Sequence, residues 1–159
     1  MSIVQKVSCA LLLCLFMAEN MAYATSLAFN KVELESIKAQ NKGKKWLMLM
    51  WSIDCPPCFK ELAVIQKLTA QGANLNIVLI NADASDEASQ ERINVIDEFQ
   101  LNDLVNLHFV DGKAEYSRFM IDSTWFGELP RSYFVDTNGQ FHGKSGLIKE
   151  SLITQWLLE

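Results

Sequence analysis

Trp51-Ser-Ile-Asp-Cys-Pro-Pro-Cys58 is the stretch on which the reading of the chain turns. In front of it, Lys45-Trp-Leu-Met-Leu-Met-Trp-Ser52 is a continuous apolar run bounded by Lys and Asp, the pattern of a strand buried on both faces. Behind it, Pro56 to Gln71 places Leu62, Ile65 and Leu68 at helical spacing. Its prolines fall only in the first turn, where a missing amide proton matters least, and Gly72 stops it. The segment reads as strand, short turn and helix, with both cysteines at the helix start.

Cysteines three apart at a helix start are close enough to close a disulfide. The helix terminus also directs unpaired amide protons and positive dipole potential at the first sulfur. This favours the thiolate and makes Cys55 the candidate nucleophile for exchange, with Cys58, one turn into the helix and less exposed, as the resolving thiol. A purely structural i,i+3 disulfide is the competing reading, but so small a loop constrains the unfolded chain little.

The N-terminus limits what other chemistry is available. Val7 to Ala18 is an almost unbroken apolar run after Lys6, and Ala22-Tyr-Ala24 matches a small-x-small cleavage pattern. Residues 1–24 are therefore expected to be a secretory signal peptide, cleaved after Ala24, with 25–159 as one domain. The run is shorter than the roughly 20 residues of a spanning helix, and the residues before Cys9 and Cys14 suit a lipoprotein signal poorly. Of four cysteines, only Cys55 and Cys58 lie in the expected mature chain. Lys6 and Glu19 cancel, so the net charge of −5 is unchanged by cleavage. An acidic chain with no Lys/Arg cluster argues against nucleic acid or anionic membrane as the main partner.

At 159 residues, half of them hydrophobic, the chain can bury one core. Outward from the cysteines, elements alternate. Lys31 to Gln40 reads as a helix ending before Gly43, and Leu75 to Asn81 as a second buried strand. Ser85 to Phe99 reads as a helix with Ile93, Ile96 and Phe99 inward, then Val105 to Val110 as a strand and Ala114 to Met120 as a short helix. Arg131 to Val135 and Phe141 to Ser145 form a hairpin about Asp136-Thr-Asn-Gly139, and Glu150 to Leu158 is a closing helix. The class is α/β with a mixed sheet.

The segment Trp51-Ser-Ile-Asp-Cys-Pro-Pro-Cys-Phe-Lys-Glu61 resembles the active-site segment of the thioredoxin superfamily, particularly its exported TlpA/ResA-like branch. Gly127-Glu-Leu-Pro-Arg-Ser-Tyr-Phe-Val-Asp-Thr-Asn-Gly139 is similar to the stretch in which that family places a cis-proline, a strand and an Asp-x-x-Gly turn. The likeness covers Lys31 to Glu159 in element order. It implies a thioredoxin-like fold, a central mixed β-sheet flanked by helices on both faces. It also implies an exported, periplasmic thiol–disulfide oxidoreductase that acts on protein thiol or disulfide substrates as a monomer, draws on a membrane redox partner and needs no cofactor or metal. By position, Pro130 is the expected cis-proline, and Leu129, Pro130 and Arg131, with Trp51, are the expected substrate-facing residues. Glu61 matches an acid that tunes thiol ionisation, against the plainer reading of an exposed first-turn carboxylate.

Three positions depart from the family pattern: Asp54 replaces an aromatic before the first cysteine, Leu49 a buried Asp, and Arg131 a frequent Thr. Asp54 is expected to raise the Cys55 pKa and Arg131 to lower it, while Pro56 and Pro57 remove two amides that would bond the thiolate. The sum points to a moderately acidic thiol and a reductant, for instance in cytochrome c or metal-site assembly. The competing functions are a copper-binding assembly factor, with His108 or His142 as further ligand, and a non-catalytic thioredoxin-fold binding domain. Both histidines read more simply as strand and solvated hairpin residues, and Trp125-Phe126 as core or as an apolar lip for substrate.

Overall fold

The computed structural model describes residues 26–159, so the expected signal peptide, with Cys9 and Cys14, lies outside the described residues. Strands β1 (Leu27–Ala28), β2 (Trp46–Trp51), β3 (Ile77–Asn81), β4 (Val105–His108), β5 (Arg131–Val135) and β6 (Phe141–Ser145) alternate with helices α1 (Lys31–Gln40), α2 (Pro56–Ala70), α3 (Ser89–Glu98), α4 (Ala114–Ile121) and α5 (Glu150–Leu158). The strands form one six-stranded sheet ordered β1-β4-β3-β2-β5-β6. The β1–β4, β4–β3 and β3–β2 pairs are parallel, and β2–β5 and β5–β6 are antiparallel.

All six residues of β2 are buried because the strand is central and covered on both faces. Strand alternation sends Leu47, Leu49 and Trp51 into a core with Cys58, Leu62, Ile65 and Leu68 of α2 and Ile153 of α5. Trp46, Met48 and Met50 face the opposite core with Leu34 and Ile37 of α1, Phe109, Trp125 and Tyr133. Helices thus cover both faces of a mixed sheet, the thioredoxin-like arrangement expected from the sequence.

Local signals act as the residues suggest. Asn30 Oδ1 accepts the amides of Val32 (2.8 Å) and Glu33 (3.1 Å), capping α1. Asn30→Ala should therefore lower stability by about 1 kcal/mol in urea denaturation, with an unchanged m-value. The hairpin closes on Asp136, whose Oδ1 accepts Asn138 N (2.8 Å) and Gln140 N (3.0 Å), while Gly139 takes φ +80°.

One expectation is corrected. The segment from Ser85 begins as a 3-10 turn, Asp86–Ala88, and its helix buries Arg92 and Ile96, with Ile93 half-buried. Phe99, at the helix end, does point inward as expected: it is half-buried against the α2-side core and stacked on Phe59 with centroids 6.1 Å apart. Strand β1 matches no element expected from the sequence, because two residues are too short to register as alternation.

Candidate active site

The parallel strands β2 and β3 end together, and the site is built where they end. Cys55 is the N-cap of α2, followed by Pro56 and Pro57 at its first two positions, and its side chain caps no amide. Cys55 and Cys58 are joined by a disulfide, with their Cα atoms 5.3 Å apart. Cys55 keeps 7% of its surface exposed and Cys58 none, so a target reaches the first sulfur before the second. Asp54, Pro56 and Pro57 are exposed around it.

The backbone amides near that sulfur can be followed one by one. Ile53 N donates to Asp83 Oδ2 (2.8 Å) and Asp54 N to Ser52 Oγ (3.1 Å). Cys55 N donates to Ser52 O (3.2 Å) and Cys58 N to Cys55 O (2.8 Å). Pro56 and Pro57 have no N–H. Every amide from Ile53 to Cys58 is thus bonded to oxygen or missing.

Glu61 lies one turn beyond Cys58 and is 1% exposed, which corrects the plainer expectation of an exposed first-turn acid. Its Oε1 accepts Ile148 N (2.8 Å), while Oε2 is buried without a partner. Burial pushes its pKa from 4.5 to about 7, with the Ile148 hydrogen bond opposing the rise. Leu49 shares the α2-facing core with Cys58 and Leu62, so the buried carboxyl on that side comes from the helix.

The Leu129–Pro130 peptide is cis. Met50 pairs with Arg131 across β2 and β5, and one step further along that register brings Pro130 level with Trp51. Leu129 packs against the core containing Cys55 and Cys58, and Pro130 O accepts Gly146 N (2.9 Å).

Two expected residues are placed otherwise. Trp51 is 1% exposed, a wall of the core beneath the site and not a surface that substrate can touch. Arg131 alternates onto the face of Met50 and Tyr133, away from α2. Its guanidinium bonds Asp122 Oδ2 (2.8 Å), Ser145 Oγ (2.7 Å) and Glu128 Oε1 (3.4 Å) and lies 4.8 Å over the Tyr133 ring. It is therefore not the cation that tunes Cys55. Of the Trp125–Phe126 pair, Trp125 is core and donates Nε1 to Glu128 O (2.9 Å), leaving only Phe126 exposed.

His108 pairs through Nδ1 with Ser26 Oγ (2.9 Å) and His142 through Nε2 with Asp136 Oδ2 (2.9 Å). Among the described residues, no three His, Cys, Asp or Glu side chains group as a metal site. The residues missed from the sequence are Ser52, Asn81 and Asp83, whose carboxylate bonds the turn before Cys55. Polar groups closing a parallel strand at its C-terminal end were the available signal.

A helix-capped cysteine pair, a buried acid one turn below it and a cis-proline alongside, on this sheet, define a thioredoxin-fold thiol–disulfide oxidoreductase. No family model matches the chain. It is 25% identical over 129 residues to sporulation thiol-disulfide oxidoreductase A of Bacillus subtilis, covering 80% of this chain and 75% of that protein. It is 29% identical over 134 residues to thiol:disulfide interchange protein DsbE of Haemophilus influenzae, covering 84% and 67%. A secreted Mycobacterium tuberculosis disulfide oxidoreductase, homologous to DsbE of E. coli, has the same fold, with TM-score 0.54, 19% identity and coverage of 74% of this chain and 82% of that one. The chain is accordingly a thiol–disulfide oxidoreductase similar to these proteins, with Cys55–Cys58 as its CxxC pair.

Proposed function

We propose that the chain is an exported reductant of protein disulfides, with Cys55 attacking and Cys58 resolving. The observation that carries this reading is the amide inventory around Cys55: each N–H from residue 53 to 58 is bonded to oxygen or absent. A thiolate there gains the helix-terminal potential but little direct hydrogen bonding, so the reduced form is not strongly favoured over the disulfide. A pair that holds its disulfide well gives electrons away readily.

In the reductive direction, the Cys55 thiolate attacks one sulfur of the target disulfide. A mixed disulfide forms, and the other target sulfur leaves as a thiolate that takes a proton. The Cys58 thiol then loses its proton, for which the Glu61 carboxylate is the buried acceptor beside it, and attacks Cys55 Sγ. The second target thiol is released and the Cys55–Cys58 disulfide is restored, oxidised by the two electrons the target has gained. Another dithiol must reduce it again, and a membrane redox partner is the proposed source.

Leu129 and Pro130 are the proposed docking edge, where an extended peptide around the target cysteine pairs with backbone. Export is supported by the leader pattern over residues 1–24 and by the relative described as secreted.

The test is a titration of Cys55 by thiolate absorbance, with a reduction potential set against glutathione or dithiothreitol. We expect a thiol pKa above about 6 and a potential nearer the thioredoxin value of about −270 mV than about −120 mV. A pKa near about 3.5, with a potential at the oxidising end, would overturn the reductive assignment.

A further inference from the structure

Asp83 lies two residues beyond β3, in the crossover to α3, and three donors converge on its carboxylate. Ser52 Oγ donates to Oδ1 (2.6 Å), and Ile53 N and Asn81 Nδ2 each donate to Oδ2 (2.8 Å). Asn81, buried at the end of β3, answers by accepting Asp83 N on its own Oδ1 (3.1 Å). Behind them Arg92, only 2% exposed, donates to Ser85 O (2.8 Å), Asp83 O (3.4 Å) and Ser89 Oγ (3.1 Å), tying the crossover to α3.

These contacts converge on the turn that carries the attacking sulfur. The amides of Ile53 and Asp54 have no backbone partner in so short a turn, and Asp83 and Ser52 supply one to each. On the other side of Cys55, the fixed φ of Pro56 and Pro57 stiffens the chain. The sulfur is bracketed by two rigid segments, one of them held from a different strand.

We propose that Asp83 is a positioning residue for the exchange reaction: backed by Asn81 and Arg92, its carboxylate locks the Ser52–Asp54 turn and fixes the direction in which Cys55 meets a target disulfide. This rests on the reading of Cys55 as the attacking sulfur. Holding a reacting atom in its attack geometry is a large part of what an exchange site contributes. The same carboxylate keeps the Ile53 amide and the Ser52 hydroxyl bonded to itself. Its removal frees two donors and deletes a negative charge, and both changes favour a thiolate.

The experiment compares reduced full-length wild type with Asp83→Ala, Asp83→Asn and Ser52→Ala. It measures single-turnover reduction of insulin, the pH profile of Cys55 alkylation by iodoacetamide, and the melting temperature. Asp83→Ala should slow the insulin step by about tenfold or more and move the alkylation profile to lower pH by about half a unit or more. Asp83→Asn offers an oxygen to only one arm of the clamp and should fall between. A loss from unfolding alone would follow the melting temperature and leave the alkylation midpoint where it was, which would count against the proposal. Should Asp83→Ala not fold, Ser52→Ala carries the test, since it removes one arm and should still slow insulin reduction severalfold. A folded variant within about twofold of wild type in rate, with an unmoved profile, overturns the proposal. Wild type inert toward both insulin and iodoacetamide would instead overturn the reading of Cys55 itself.

Discussion

Cys58→Ala should turn the protein into a trap, holding target proteins as mixed disulfides at Cys55, while Cys55→Ser should abolish exchange. The asymmetry follows from burial: Cys55 is the sulfur with exposed surface, and Cys58 is fully enclosed, facing Leu62 and the α2 core. Removing the attacking sulfur takes away covalent catalysis altogether, and a loss on the order of 10³-fold or more in insulin reduction is expected. Removing the resolving sulfur leaves the first attack intact, so the adduct forms and persists. Non-reducing electrophoresis of alkylated extracts should show reducible adducts with Cys58→Ala, and none with the double variant Cys55→Ser, Cys58→Ala. Adducts of equal abundance from Cys55→Ser alone would reverse the assigned roles.

Glu61→Gln should make the oxidised protein more stable at alkaline pH and slower at its reaction. The carboxyl has a pKa of about 7 in the folded chain against 4.5 for the ordinary group, and burial is the main cause. Between those values the folded chain holds a proton that the unfolded chain has released, so stability falls as pH rises. The contribution is complete below 4.5 and gone above about 7. Taken over that interval it amounts to about 3 kcal/mol at most. Glutamine still accepts the Ile148 amide and cannot ionise, so the variant should lack this dependence and exceed wild type at pH 8 by up to about that amount in urea melts. Its resolving step should slow by about 10- to 100-fold near neutrality, because the proton of Cys58 loses its nearby acceptor. A variant that tracks wild type in both stability and rate at pH 5 and pH 8 would refute both statements.

The sequence carried the frame of the molecule in its strongest local patterns. The six-residue apolar run of β2, the Leu62, Ile65 and Leu68 spacing of α2 and the Asp136-to-Gly139 turn each needed only neighbours in the chain, and each formed where expected. What failed depended on distant partners. Whether Glu61 is buried is decided by the segment before α5, whose Ile148 lies 87 residues away. Asp83 went unnoticed because its partners Ser52 and Ile53 are 31 and 30 residues upstream. Arg131 was misplaced for a different reason. Alternation along β5 puts it with Tyr133 and Val135 on the face away from the cysteines, a consequence available from strand period alone once the hairpin was recognised. Strand β1 was invisible because two residues show no period.

The hydrogen bond between Glu61 and Ile148 makes the tail of the chain part of the redox apparatus. The acid beneath the sulfurs stays dry only while helix α5, anchored by Ile153, remains seated, and that helix runs to Leu158. A purification handle fused there, or a docking protein that pries the helix loose, would admit water to the carboxyl, lower its proton affinity and shift the working pH of the cysteines without touching either one.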